Sequence, residues 1–227
     1  MAMDGIFDRS RALLGESTMN ALASAQIAVV GVGGVGSWCA EALVRTGFHH
    51  ITLVDDDVVA PSNVNRQLEA TSRTIGQPKV EALGQRLLEI NPEACVTALA
   101  LRYAPESDFH ISKFDCVVDA IDSVADKAHL IRNAMAHGVK IYSSMGAALR
   151  LDPTRVRISE FSHVTGDGLA RALRQRFKKD GLGPAPKFQC VHSEEPPRNI
   201  PERGSTMPVT AAFGLALASL VTAHFNF

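Results

Sequence analysis

The stretch Ile27-Ala28-Val29-Val30-Gly31-Val32-Gly33-Gly34-Val35-Gly36 decides the fold of this chain. Its apolar run, with β-branched Val29 and Val30, suits a parallel strand buried on both faces. It breaks into a glycine-rich turn, after which Ser37-Trp38-Cys39-Ala40-Glu41-Ala42-Leu43-Val44 reads as a helix. Glycine at 31, 33 and 36 permits a tight turn, close backbone approach to a phosphate and close helix–strand packing. The amino terminus of the helix then offers unpaired N–H groups to an anion. The unit predicts nucleotide binding and leaves the nucleotide open.

Outward from this turn the chain alternates strand and helix, which predicts a Rossmann-like, doubly wound, mostly parallel α/β sheet. A second strand covers residues 50–54 and ends in Asp55. Pro78 suits a first helical turn, and Val80, Leu83, Leu87, Leu88 and Ile90 follow at helical spacing up to Asn91-Pro92. Strands are expected over 95–101, 115–121 and 140–144, with a helix from about Ser123 to His137. From Arg150 the texture changes. Residues 155–161 alternate as an antiparallel, half-exposed strand does. A short basic helix is expected over 169–179, then a Gly/Pro-rich stretch over 181–186 and a polar loop over 193–205 that looks mobile. Residues 1–227 are therefore expected to form one domain, with a core over about 20–150 and an antiparallel carboxy-terminal extension over about 151–227.

The hydrophobic fraction of 46% and charged fraction of 21% argue against a mainly disordered chain. A net charge of −1 supplies no protein-wide basic field, so contact with nucleic acid requires a local patch. Cys39, Cys95, Cys116 and Cys190 form no C-x-x-C pair, so no structural zinc or disulfide framework is expected, and a reducing cytoplasm fits. The apolar segment from Pro208 to Phe225 holds several polar residues and falls short of the roughly 20 apolar residues that span a bilayer. It reads as a core or dimer-interface helix, with peripheral membrane association left open.

Asp55 lies 19 residues after Gly36, where an acid grips a ribose hydroxyl. To this point a nicotinamide dehydrogenase explains the pattern. The segment Ser62-Asn63-Val64-Asn65-Arg66-Gln67, with Lys79 beyond it, suits a triphosphate better. Arginine grips phosphate oxygens through two parallel bonds, and lysine neutralises charge on departing pyrophosphate. Asp122 follows the fourth strand at the edge where ligands of such sheets bind, and reads equally as a Mg²⁺ ligand or as a cap of the next helix. Asp57 reads as a turn residue or a ligand. Cys190 reads as a small hydrophobe more readily than as a nucleophile.

Gly31-x-Gly33-Gly34-x-Gly36, Asp55-x-Asp57, Ser62-Asn63-x-Asn65-Arg66-Gln67, Gly76-Gln77-Pro78-Lys79 and Asp119-x-x-Asp122, in this order, resemble the ThiF/MoeB/HesA superfamily, relatives of ubiquitin-activating enzymes. The resemblance covers roughly residues 5–150. It implies adenylation of a carboxylate with Mg²⁺ and ATP. Gly31, Gly33, Gly34 and Gly36 would form the nucleotide turn with Gly34 by the α-phosphate, and Asp55 would hold the ribose. Asn63, Arg66 and Lys79 would grip phosphates beside Asp57 and Gln67, and Asp122 would serve the metal. Phe7-Asp8-Arg9 with Gly15 resembles the segment whose arginine reaches the partner subunit's ATP. This implies a homodimer with Arg9 supplied in trans. Arg9, Arg66, Lys79 and Asp122 would be catalytic. Ile6 stands where the family often has a further arginine.

Arg45-Thr46-Gly47, Asp119-Ala120-Ile121-Asp122-Ser123 and Val191-His192-Ser193-Glu194-Glu195-Pro196-Pro197 resemble the branch of dehydratases that act on threonylcarbamoyladenosine in tRNA. That branch would adenylate the threonyl carboxylate and close a ring with release of AMP. Arg171, Arg174, Arg176, Lys178, Lys179, Arg198 and Arg203 form the candidate patch for tRNA phosphates. The alternative substrate is the carboxy terminus of a ubiquitin-like sulfur-carrier protein, with a sulfur-transfer partner.

Overall fold

In the computed structural model, residues 5–181, 185–202 and 204–226 are described. Seven strands, β1 (Gln26–Val30), β2 (His50–Val54), β3 (Cys95–Leu99), β4 (Cys116–Asp119), β5 (Lys140–Ser144), β6 (Val156–Glu160) and β7 (Gln189–Ser193), make one sheet in the order β3-β2-β1-β4-β5-β7-β6. All neighbours run parallel except β6, which pairs antiparallel with β7. The carboxy-terminal extension thus completes the sheet that the amino-terminal half begins. The third and fourth strands are shorter than the sequence suggests, and Leu101 and Ile121 lie in the loops beyond them.

Among the described residues seven α-helices flank the sheet: α1 (Asp8–Leu14), α2 (Glu16–Ser24), α3 (Gly36–Thr46), α4 (Lys79–Ile90), α5 (Val124–Ala136), α6 (Gly168–Lys179) and α7 (Met207–Phe225). Side chains alternate across a strand, so β1 sends Ile27 and Val29 into one core and Ala28 and Val30 into the other. The first core is closed by Leu43 and Val44 of α3, Leu83 and Leu87 of α4, and Phe213, Leu217 and Val221 of α7. The second is closed by Leu130 and Ile131 of α5 and Leu173 and Phe177 of α6. Full coverage of both faces is why β1 and β4 read as continuous apolar runs. The apolar segment at the carboxy terminus is long and apolar enough to cross a membrane by length and composition, and here it lies on α3 with one face in the core. A Cβ at Gly214 would stand 2.5 Å from the Val35 carbonyl oxygen, so glycine lets α7 lie directly on the turn that opens α3.

Two features set the position of the site. Val30 is level with Val54 of β2 and with Asp119 of β4, so three strands end together where the chain reverses direction across the sheet. The turn after β1 is built tightly against this edge. Gly31 has φ +85°, and a Cβ there would lie 2.8 Å from the Ala120 carbonyl oxygen, while a Cβ at Gly36 would overlap the Gly31 carbonyl.

The described residues of the loop over 193–205, expected to be mobile, are laced down. The Glu195 carboxylate accepts from the N–H groups of Leu151 and Asp152, and Arg150 Nε donates to the Glu195 carbonyl at 3.0 Å. The Arg198 N–H donates to the Leu149 carbonyl, and the Leu149 N–H to that of Gly204. Loop composition reports turn chemistry and says nothing of such distant partners, which here satisfy backbone groups that water would otherwise serve.

Candidate active site

A cavity of about 680 Å³ opens at the level ends of β1, β2, β4 and β5. It joins almost every residue singled out above: Gly31, Gly33, Gly34, Asp55, Asp57, Asn63, Arg66, Gln67, Lys79 and Asp122 all line it. Gly36 lies behind the wall and closes the turn. Arg9 is not brought to the cavity. It is exposed on α1, a helix with no buried residue, and the nearby Phe7 ring packs at a tilt against His49, at the opposite end of β2.

Asp55 straps the glycine turn in place. Its carboxylate accepts the Val32 N–H at 2.8 Å and the Asp57 N–H at 2.9 Å, and its unused lone pairs remain for hydroxyl donors. Burial pushes its pKa up, against those two N–H groups and Lys79, which pull it down. The N–H groups of Gly33, Gly34 and Val35 find no partner among the described residues and lead into the positive end of α3. They form a floor suited to phosphate oxygens.

Two cations face this floor from one side. The stem of Arg66 crosses Gly34, where a Cβ would meet its Cγ at 3.3 Å. Its Nη1 donates to the Ser62 carbonyl and to Asn65 Oδ1, both at 2.9 Å, and its backbone carbonyl accepts from Trp38 Nε1. One edge of the guanidinium is thereby anchored and the other is left for a ligand. Lys79, the first residue of α4, is 5% exposed, and its Nζ lies 2.7 Å from Asp57 Oδ2. Asn63 Oδ1 accepts the Ala60 N–H, so the oxygen shapes the turn while the amide nitrogen is unspent. Gln67 Oε1 is buried without a partner. Asp122 is exposed and makes no hydrogen bond among the described residues, and α5 starts at Val124 with Ser123 in the capping position, so its reading as a helix cap fails.

Beyond Gly34 the lining changes character. Ser144, Met145, Gly146, Ala147, Ala148, Leu169, Ser205 and Thr210 make a compartment with no charged side chain. Its wall is clamped by Arg150, 3% exposed, whose guanidinium meets Asp167 at 2.9 Å and the Gly146 carbonyl. At the opposite end Leu101, Tyr103 and Val54 offer an apolar surface, with Arg102 paired to Asp126 at 2.8 Å across the rim. Sequence reasoning missed the neutral compartment and the Arg102–Asp126 pair. Asp126 stands four residues after Asp122 on α5, a spacing that was available; Arg102 follows an edge strand and carries no local signal.

Under the cavity lies a charged network that is wholly enclosed. Lys127 Nζ contacts Asp119 Oδ2 at 2.7 Å and Ser143 Oγ at 3.2 Å, and Ser143 donates to the same carboxyl oxygen at 2.6 Å. Asp119 Oδ1 accepts the Ile121 N–H, which shapes the backbone that presents Asp122. Cys190 is fully buried, donates to the Ser159 carbonyl, and burial pushes its thiol up to about 12, as for a small hydrophobe. In the basic patch, Arg174 lies over the Phe161 ring and donates to the Phe161 carbonyl, and Arg176 pairs with Asp180. These two are committed to the fold. Arg171, Lys178, Lys179 and Arg198 stay exposed, and Arg203 lies outside the described residues, as do 182–184 of the Gly/Pro-rich stretch.

The chain is similar to known proteins in sequence and fold. The chain is 40% identical to the tRNA threonylcarbamoyladenosine dehydratase of Bacillus subtilis, over 86% of this chain and 77% of that one. It is 37% identical to the Escherichia coli protein of the same name, over 97% and 89%. The crystal structure of the E. coli tRNA N6-threonylcarbamoyladenosine dehydratase in complex with ATP superposes with a TM-score of 0.90 at 36% identity, covering 96% of this chain and 93% of that chain. A model of the ThiF family matches residues 7–225, and the chain belongs to that family.

Proposed function

We propose that this protein is an ATP-dependent dehydratase that closes a ring on threonylcarbamoyladenosine in tRNA. The observation that carries the reading is one cavity with two halves: a phosphate floor flanked by Arg66 and Lys79, continuous past Gly34 with an uncharged compartment. The likeness to a dehydratase solved with ATP supports it.

In the first step a threonyl carboxylate oxygen attacks the α-phosphorus, and pyrophosphate leaves. Arg66, through its free edge, and Lys79 stabilise charge that builds on the leaving phosphates. Asp122, an exposed hard-oxygen donor with no partner among the described residues, would supply one carboxylate ligand to Mg²⁺. When bound, that ion neutralises phosphate charge. In the second step the neighbouring carbamoyl oxygen or nitrogen attacks the acyl carbon, an N–H of the carbamoyl group gives up its proton, and AMP is expelled. The departing AMP carries the carboxylate oxygen, so the nucleoside loses the elements of water. The attacking group is already tethered, and effective molarity replaces a protein nucleophile, in keeping with the inert Cys190. Arg171, Lys178, Lys179 and Arg198 would hold tRNA phosphates. Such an enzyme works in the cytoplasm, where its tRNA is found.

Incubation with ATP, Mg²⁺ and tRNA bearing threonylcarbamoyladenosine should release AMP and lower the nucleoside mass by one water. An unchanged nucleoside mass beside a working positive control refutes the reading.

The position of Arg9 supports its supply to a second copy of the chain. It lies at the end of β2 remote from the cavity of its own chain, on a helix that exposes Leu13 by 83%. If Arg9 acts in trans, Arg9→Ala and Lys79→Ala proteins will each be impaired, and mixing them will restore activity. In the mixed dimer one site holds both Lys79 and the partner's Arg9. A mixture no more active than its parts would mean that Arg9 does not act across subunits.

A further inference from the structure

The second step of that scheme develops a charge that no group named so far receives. As the carbamoyl group attacks, a bond forms to the acyl carbon and the carbonyl π pair moves onto the acyl oxygen. The pair returns when the bond to AMP breaks. In between, the oxygen is an anion, and the compartment beyond Gly34 has no charged side chain to meet it. A fixed backbone dipole is the group suited to that place.

The loop after β5 carries one. Gly146 is gripped from behind the cavity wall through both of its backbone groups: its N–H donates to Asp167 Oδ2 at 3.1 Å, and its carbonyl accepts from Arg150 Nη1. Arg150 and Asp167 are buried and do not line the cavity, whereas Gly146 and Ala147 do. A trans peptide bond sets its C=O and N–H on opposite sides. With the Gly146 carbonyl turned back to Arg150, the Ala147 N–H turns forward into the compartment. It finds no acceptor among the described residues, although Ala147 is only 9% exposed. Buried backbone donors are rarely left in that state.

The peptide is held against rotation. Arg150 also donates to the Ala148 carbonyl at 3.3 Å and to the Glu195 carbonyl at 3.0 Å. Asp167 is fixed in turn, because its Oδ1 accepts the Ala170 N–H at the start of α6. A Cβ at Gly146 would stand 3.3 Å from Asp167 Oδ2, so glycine lets the carboxylate come this near. Leu149 takes φ +66°, a left-handed conformation that a leucine keeps only where its surroundings enforce it.

We propose that the Ala147 N–H receives the acyl oxygen as the ring closes, and that Arg150 is the positioning residue that aims it. The donor acts on the second step alone. In the first, the carboxylate gives charge away to phosphate, so a donor bound to it brings no rate. In the second, charge grows on the acyl oxygen, and the donor binds the transition state more tightly than the adenylate.

This rests on the reading of the cavity as the seat of an acyl-adenylate, and single turnovers of the whole chain separate the two. Enzyme in excess is mixed with ATP, Mg²⁺ and tRNA bearing threonylcarbamoyladenosine. Pyrophosphate release times the first step, and loss of one water from the nucleoside times the second. Ala147→lactic acid exchanges the N–H for an ester oxygen and keeps the side chain. Its ring closure is expected to be about 100 to 1,000 times slower, with pyrophosphate release within a few-fold of wild type. Arg150→Lys keeps a cation beside Asp167, but three ammonium protons cannot serve three carbonyls and a carboxylate. It should close the ring about 100 times more slowly, the cost of a displaced group, again with pyrophosphate release nearly unchanged. In both variants AMP labelled at phosphorus stays joined to the tRNA. Ring closure at the wild-type rate in the ester protein overturns the donor role, and in Arg150→Lys it overturns the positioning role. Equal slowing of both steps in Arg150→Lys means that Arg150 only holds the fold together, which also overturns it. A wild type that releases no pyrophosphate overturns the adenylation reading itself.

Discussion

Lys79→Ala protein is expected to fold normally and to form adenylate about 100 to 1,000 times more slowly, the usual cost of one donor aimed at transition-state charge. Lys79 is enclosed at the phosphate end of the cavity, and its ammonium is already within 2.7 Å of an anion there, so its charge acts where solvent screens it little. The fold should tolerate the loss. Asp57 is largely solvated and can shed its partner. Lys79→Arg should rescue poorly, because the site encloses a compact ammonium and a planar guanidinium needs a wider fork. The rate of ATP–pyrophosphate exchange with modified tRNA checks this. A variant within a few-fold of wild type would show that the phosphates are gripped elsewhere.

Lys127→Met is expected to cost roughly 3–5 kcal/mol of stability, because it strands the Asp119 carboxylate in a fully buried place with only Ser143 and one N–H beside it. For a chain of this size that corresponds to a Tm lower by roughly 10 °C. The combined Asp119→Leu and Lys127→Met protein should be less damaged than Lys127→Met alone, since removing both charges avoids the unpaired one. It should nonetheless be slow, because Asp119 Oδ1 holds the Ile121 N–H that sets the backbone at Asp122. Thermal melts and AMP release, run on the same preparations, separate stability from activity. An unchanged Tm in Lys127→Met would mean that water or relaxation solvates Asp119.

The phosphate half of the site was legible because it lies at strand ends. A glycine turn after an apolar run, an acid after the next strand and a cationic segment before the next helix are local events, and a level sheet edge brings them together. For Asp122 the structure removes the helix-cap alternative, since α5 starts without it, and its metal-ligand role stands as a proposal. Helices α1 and α2 were missed because they bury little: α1 has no buried residue, and α2 buries only Thr18, Met19 and Leu22. Helix α1 has no amphipathic stripe, and the three buried positions of α2 span little more than one turn.

The sequence by itself determined the parallel sheet, the nucleotide turn and the triphosphate character of the ligand, because period, β-branching and glycine sterics act over a few residues. Only the tertiary structure decided the rest. The neutral compartment draws on β5, the loop after it, α6, the loop over 193–205 and α7, and Asn65 Nδ2 reaches the Ser205 carbonyl across that whole span. The Gly146 carbonyl turned back to Arg150, the laced loop and the commitment of Arg174 and Arg176 to the fold are likewise matters of tertiary partners. Local pattern sets which face of a segment turns inward. Sheet order and helix packing, both long-range, decide what that face meets.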